Sequence, residues 1–197
     1  GSDNISLALD IMKNIYSTNG INLEVESTIT LDNKYSDVSR YFHNSLTSEM
    51  VSLGDNDKVN LFFINDYTDA LGLFGNAPGI PGSQGLKGSH NGVLINLRMH
   101  KTDGPLDNQL LAETAGHEMG HFLGLFHTTE SNGTDHDPIS DTPECSFTTA
   151  NQCGKQYGAD NLMFRTPWEN YFGKRIGDQD NLTEGQVYVL KRALIAK

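Results

Sequence analysis

Along the first twenty residues, apolar side chains return at helical intervals, Ile5, Leu9, Met12 and Tyr16, until Asn19-Gly20 breaks the pattern. That periodicity predicts an amphipathic helix with a turn-forming stop. The period then shortens to two: from Ile21 to Leu31, Ile, Leu and Val alternate with polar residues, as in a half-buried strand. Ser36 or Asp37 can cap a second helix through about Met50, with Val38, Tyr41, Phe42 and Leu46 inward, and this helix is expected to back the sheet. Short apolar runs at Val59 to Ile64 and Gly92 to Met99 suit central strands. Asp107 then caps a helix over Asn108 to Leu123, whose buried stripe starts with Leu110, Leu111 and Thr114 or Ala115. Thr183-Glu184-Gly185-Gln186 carries a capping-box pattern and opens a last helix through Leu194. The pattern as a whole predicts an α/β (α+β) unit, a sheet with helices on one side followed by an irregular stretch and a closing helix.

Composition narrows this without redirecting it. A chain of 197 residues with 37% hydrophobic content can bury one full core, so a single domain is expected over 1–197. No run approaches the ~20 consecutive apolar residues of a membrane span. Fourteen basic residues face 25 acidic ones, for a net charge of −11, with no basic run, which argues against nucleic acid as a partner. The same acidity can steer cationic substrates, although acidic surfaces more often serve solubility. Gly1-Ser2 reads as a cloning scar, so a secretion signal and an inhibitory pro-segment are expected to lie outside this chain.

The chemistry is concentrated in residues 117 to 127, His-Glu-Met-Gly-His-Phe-Leu-Gly-Leu-Phe-His. On a helix, His117 and His121 project from one face about a turn apart and can share one ion. Glu118, rotated by roughly 100°, stays near the metal without ligating it, the place for a general base. A continuous helix would carry His127 about 9 Å beyond His121, too far for a metal–nitrogen bond of about 2.1 Å, so the helix must break. Gly124 supplies the break, because glycine adopts the left-handed conformation at a helix end without a Cβ penalty. Three neutral histidines leave one tetrahedral position of zinc open to water, the arrangement of a catalytic site. Chance assembly of these five spacings has a probability on the order of 10⁻⁴, so coincidence is set aside.

The pattern His-Glu-x-x-His-x-x-Gly-x-x-His resembles the metzincin metallopeptidases, and Asn161-Leu162-Met163-Phe164 resembles their methionine turn, which places Met163 beneath the histidine ligands. Thr128 after the third histidine, the acidic segment that follows and Asp141-Thr142-Pro143 resemble the pappalysin family in particular, over about residues 58 to 195. The resemblance implies a twisted, mostly parallel sheet with an antiparallel edge strand, a backing helix and an active-site helix in an N-terminal subdomain over 3–124. A C-terminal subdomain over 125–197 would hold the third ligand and the methionine turn. It further implies a secreted, monomeric zinc endopeptidase in which Glu118 activates a zinc-bound water. Residues 66 to 91 are long for a plain loop, and the resemblance sets the edge strand at Leu71, Gly72, Leu73, Phe74, Gly75 and Asn76, where an extended peptide adds as a further strand.

Several assignments stay open. The family places a tyrosine two residues after the turn methionine, and this chain has Arg165 there. The oxyanion then falls to Arg165, to Tyr171 or Tyr157, or to zinc alone. Cys145 and Cys153 are expected to form one disulfide contributing about 2 to 3 kcal/mol, the alternative being free thiols of a cytosolic protein. Asp135, Asp137, Asp141 and Glu144 offer hard oxygen ligands for calcium, or simply a solvated acidic face. Glu144, 23 residues after His121, is also an alternative third zinc ligand. A catalytically silent binding protein of the same fold and a hydrolase of non-peptide amides are the remaining readings.

Overall fold

The computed structural model describes residues 2–101, 104–193 and 195. The first helix, α1 (Ser2–Thr18), forms where the helical spacing predicted it and buries Ala8, Met12, Ile15 and Tyr16. Its partner is the central helix α3 (Asn108–Leu123), from which Leu111, Ala112, Ala115 and Met119 join the same cluster. Two alanines on the facing stripe let the helices approach closely, and the Tyr16 hydroxyl donates to the Gly116 carbonyl at 2.8 Å across the seam. The backing role therefore belongs to α1, not to a helix over residues 36 to 50.

That second expected helix is corrected in extent as well. Asp37–Val38 form a short strand, β1, parallel to β3 (Asp66–Tyr67), and only Ser45–Val51 are helical, as α2. The start moves to Asn44, whose side chain accepts from the Leu46 N–H. The Ser39 hydroxyl and the Arg40 N–H are meanwhile drawn to the Asp69 carboxylate. Val38 and Phe42 are buried as expected, whereas Tyr41 is exposed.

A three-stranded sheet carries the site. In it β2 (Leu61–Ile64) pairs in parallel with β5 (Val93–Asn96), and β5 pairs antiparallel with the edge strand β4 (Gly75–Asn76), in the order β2-β5-β4. The register aligns Gly75 with Ile95 and Asn76 with Leu94. Strand β5 is buried along its whole length, which accounts for an unbroken apolar run where one-sided strands alternate. It stops at Asn96, whose side chain accepts from the Arg98 N–H and starts a 3-10 turn over Leu97–His100 in place of the expected strand end.

Two further expectations fail. No strand forms over residues 21–31: Ile21 and Leu23 rest on the main cluster, but Val25 and Ile29 are exposed. Alternation supplies a strand's side-chain pattern, but a ladder needs a partner backbone, and none pairs here among the described residues. The edge strand is shorter than Leu71 to Asn76, because Gly72 turns the chain with φ of +78° and leaves Leu71 in solvent. The closing helix α4 (Glu184–Leu190) starts at the expected capping box, Thr183 with Gln186, and ends four residues early, Leu194 lying outside the described residues.

Candidate metal centre and cleft

The capping that starts α3 also aims it. The Asp107 side chain accepts from the Leu110 N–H at 3.0 Å, and the helix then runs beneath the sheet with almost every side chain buried. It ends at Gly124, φ +114°, where the Gly124 N–H donates to the His121 carbonyl and the Leu125 N–H to that of Gly120. This left-handed step folds the chain back, and His127 returns to the helical pair.

The three Nε2 atoms converge. His127 Nε2 lies 3.2 Å from that of His117 and 3.1 Å from that of His121. Each opposite nitrogen is committed: Nδ1–H of His117 donates to the Leu162 carbonyl at 2.7 Å, that of His121 to the Leu125 carbonyl at 2.7 Å, and that of His127 to the Glu130 carboxylate at 3.0 and 3.1 Å. The tautomers are thereby fixed with Nε2 lone pairs facing one another, an arrangement that repels unless a cation sits between them. Burial, reinforced by the neighbouring rings, holds His117 well below the ordinary histidine range, and burial lowers His121 to about 4, so both are neutral ligands at neutral pH. Tetrahedral coordination at 2.0–2.1 Å spaces ligand nitrogens by about 3.3 Å, which the observed separations match. Among the described residues this trio is the one group of three metal-type side chains so gathered.

Met163 is fully buried against α3 and explains Gly120. A Cβ at Gly120 would stand 2.5 Å from the Met163 Sδ, so only glycine lets the helix settle onto the turn. The turn itself is held by Asn161, whose side chain accepts from the Met163 N–H and exchanges two hydrogen bonds with Gln186 of α4. Glu118 faces the opposite side, against β4, where a Cβ at Gly75 would come within 2.5 Å of its Cγ. Burial raises its carboxyl to about 8 in the absence of a neighbouring cation.

A cleft of about 470 Å³ opens over these groups. One wall is Gly72 to Ala77, which includes all of the expected substrate strand except Leu71. The other is Phe164, Arg165, Thr166, Pro167 and Gln179. Arg165 borders the cleft while its guanidinium donates to the Thr129 and Phe147 carbonyls. Tyr171 is 84% exposed at a hairpin tip against Phe172, and Tyr157 packs edge-on against Phe147; neither lines the cleft.

A family model of the M43 peptidases, described as pregnancy-associated plasma protein-A, matches residues 54–195. The chain belongs to this metallopeptidase family. No curated protein matches it individually. The pappalysin membership implies zinc, and the His117, His121 and His127 trio is the group that could hold it. Cys145 and Cys153 are joined, with Cα atoms 6.0 Å apart, and their buried bridge packs beside Phe164 on the cleft wall. No helix among the described residues is long and apolar enough to cross a membrane.

The acidic residues expected to hold calcium do not come together. Asp141 instead accepts from the Thr183 hydroxyl and the Gly185 N–H at the start of α4. Asp137 accepts from Ile139 N–H and the Thr142 hydroxyl, Asp135 lies beside Thr134, and Glu144 sits 3.6 Å from His136. Hydrogen-bond donors of the chain, rather than one another, organise these carboxylates. Glu144 is likewise apart from the trio, whose third member is His127.

Proposed function

We propose that this metallopeptidase is a secreted endopeptidase that binds an extended peptide along β4 and uses Glu118 as its general base. The observation that carries this reading is the convergence of three Nε2 lone pairs beside a buried glutamate, in a cleft bordered by β4, whose outer edge pairs with no other strand among the described residues. Zinc held by His117, His121 and His127 would polarise the scissile carbonyl and acidify a water. Glu118 takes the water's proton and delivers it to the leaving amine. The β4 backbone fixes the peptide by main-chain hydrogen bonds, and Gly75 keeps that strand close enough for Glu118 to reach the bond being cut. Secretion is supported by the buried Cys145–Cys153 bridge, a bond that persists in oxidising compartments. The test is a peptide-library digest: zinc-loaded protein should cut at internal bonds and stop when a chelator is added. Trimming confined to chain ends would reject the endopeptidase reading.

Glu130 gives a second measurable consequence. It was not apparent in the sequence pattern, although a carboxylate three residues past a ligand histidine is the signal to seek. Two ligands lean on neutral carbonyls, and only His127 leans on a charged partner. A carboxylate behind a ligand imidazole orients the ring and raises its basicity, and its loss commonly costs 10–100-fold in metal affinity. Glu130→Ala is therefore expected to weaken zinc binding by roughly 10–100-fold in a chelator competition, with Glu130→Gln intermediate. An unchanged dissociation constant in Glu130→Ala would remove this role.

A further inference from the structure

We propose that Arg175 determines which side chain the cleft accepts after the scissile bond: by pairing with Glu113 at the base of that pocket it neutralises the carboxylate, so uncharged residues enter and lysine and arginine are refused. The inference rests on the peptidase reading above and concerns the specificity of the same cleft.

The direction of the substrate follows from the packing. Before β4, Phe74 packs edge-on against His100, which bonds Thr114 in the first half of α3. After β4 the chain reaches Gly82, whose N–H donates to the Phe122 carbonyl at the end of α3. Strand β4 and helix α3 thus run in the same sense. A peptide pairing antiparallel with the outer edge of β4, the more stable of the two pairings, runs against both. Its C-terminal half then lies over the start of α3, where Leu110, Glu113, Thr166, Pro167 and Gln179 line the cleft.

At the base of that region Glu113 has a side chain only 4% exposed. Its Oε1 accepts from Gln109 Nε2 at 2.9 Å and from the Gln179 N–H at 3.1 Å, and Arg175 Nη2 lies 2.7 Å from both carboxylate oxygens. Three of these contacts fall on Oε1 and Arg175 alone also reaches Oε2, so the carboxylate's charge is already matched by the guanidinium and is not free to hold a substrate cation. Arg175 reaches Glu113 from a hairpin in which Glu169 and Arg175 are bridged, and it is steadied by Asp178 at 3.2 Å and Asp107 at 3.6 Å. On its far side lies a second cavity of about 360 Å³, bordered by Asp107, Leu110, Glu169, Phe172 and Arg175. Arg175 borders only this second cavity, Glu113 only the cleft and Leu110 both, so the ion pair and Leu110 separate the two spaces. Removing the guanidinium would extend the pocket toward the second cavity and free Glu113 to bind a cation. Nothing in the sequence pairs these residues, which stand 62 positions apart.

The test is a cleavage profile at the position after the scissile bond, read by mass spectrometry on a peptide library, for zinc-loaded wild type, Arg175→Met and the Arg175→Met/Glu113→Gln double variant. Wild type is expected to favour uncharged residues there. Arg175→Met should raise the relative kcat/KM for Lys and Arg by about tenfold or more, and the double variant should lose that gain. A wild-type profile led by Lys or Arg overturns the proposal, and so does an active Arg175→Met enzyme with the wild-type profile. Should Arg175→Met fail to fold, wild type and Glu113→Gln decide: both are expected to show the uncharged preference, and a basic preference in wild type that Glu113→Gln abolishes overturns it. A wild type that cuts nothing sinks the peptidase reading and this inference with it, whereas a cutting enzyme with a basic preference sinks the inference alone.

Discussion

Glu118→Gln is expected to bind zinc at wild-type stoichiometry and to cleave peptides about 10²–10⁴-fold more slowly. Glutamine is isosteric with glutamate, so the packing of the side chain against Gly75 survives the change. The amide cannot accept the proton that the attacking water must give up; the other carboxylate lining the cleft, Glu113, is paired with Arg175, and Glu130 is bound to the outward Nδ1 of His127. The three ligands are untouched, since their outward nitrogens are held by Leu162, Leu125 and Glu130. Stability gives an independent check. Burial raises the Glu118 carboxyl to about 8 in metal-free protein, above its unfolded value of ~4.3. The folded state therefore holds a proton that the unfolded state releases, and metal-free wild type loses stability as pH rises through that interval. Metal-free Glu118→Gln has no such group and is expected to lose less between about pH 5 and about pH 9 in urea titrations. Undiminished turnover in the zinc-loaded variant would remove the base assignment.

What the chain discloses before folding depends on the range of the interaction. Helix α3 is visible from Asp107 to Gly124 because its cap, its buried stripe and its left-handed stop are local features. The same holds for Thr183 and Gln186 at the start of α4. Residues 21–31 mislead for the complementary reason: alternation predicts a face, but only a partner strand makes a ladder. The division of labour between α1 and the segment 36–50 was equally hidden, since the seam between α1 and α3 is fixed by Tyr16 meeting Gly116, 100 positions away. In the site, the ligand histidines and Glu118 are written in one eleven-residue stretch, whereas the close approaches that require Gly75 and Gly120 involve remote partners. The acidic residues near Gly133 show the opposite error. Their spacing resembles a ligand set, yet each carboxylate is drawn to donors elsewhere, and Asp141 in particular serves α4.

His127→Ala is expected to weaken zinc binding at least ~100-fold and to abolish cleavage, while Glu144→Ala leaves both near wild type. The floor on that magnitude comes from outer partners, whose loss alone costs up to about 100-fold; removing a ligand outright costs more. His127 owes its place to the left-handed step at Gly124, to the Thr128 N–H donating to the Met163 carbonyl at 3.1 Å, and to Glu130 behind the ring. The third ligand is therefore positioned by the same methionine turn whose Leu162 carbonyl orients His117, so trio and turn act as one unit. Glu144 instead stands beside His136 with a side chain 62% exposed, where substitution alters only a surface contact. Calorimetric or chelator-competition titration of the two variants separates the alternatives directly. Retained zinc affinity in His127→Ala together with its loss in Glu144→Ala would transfer the third position to the glutamate and break the link between the bend at Gly124 and catalysis.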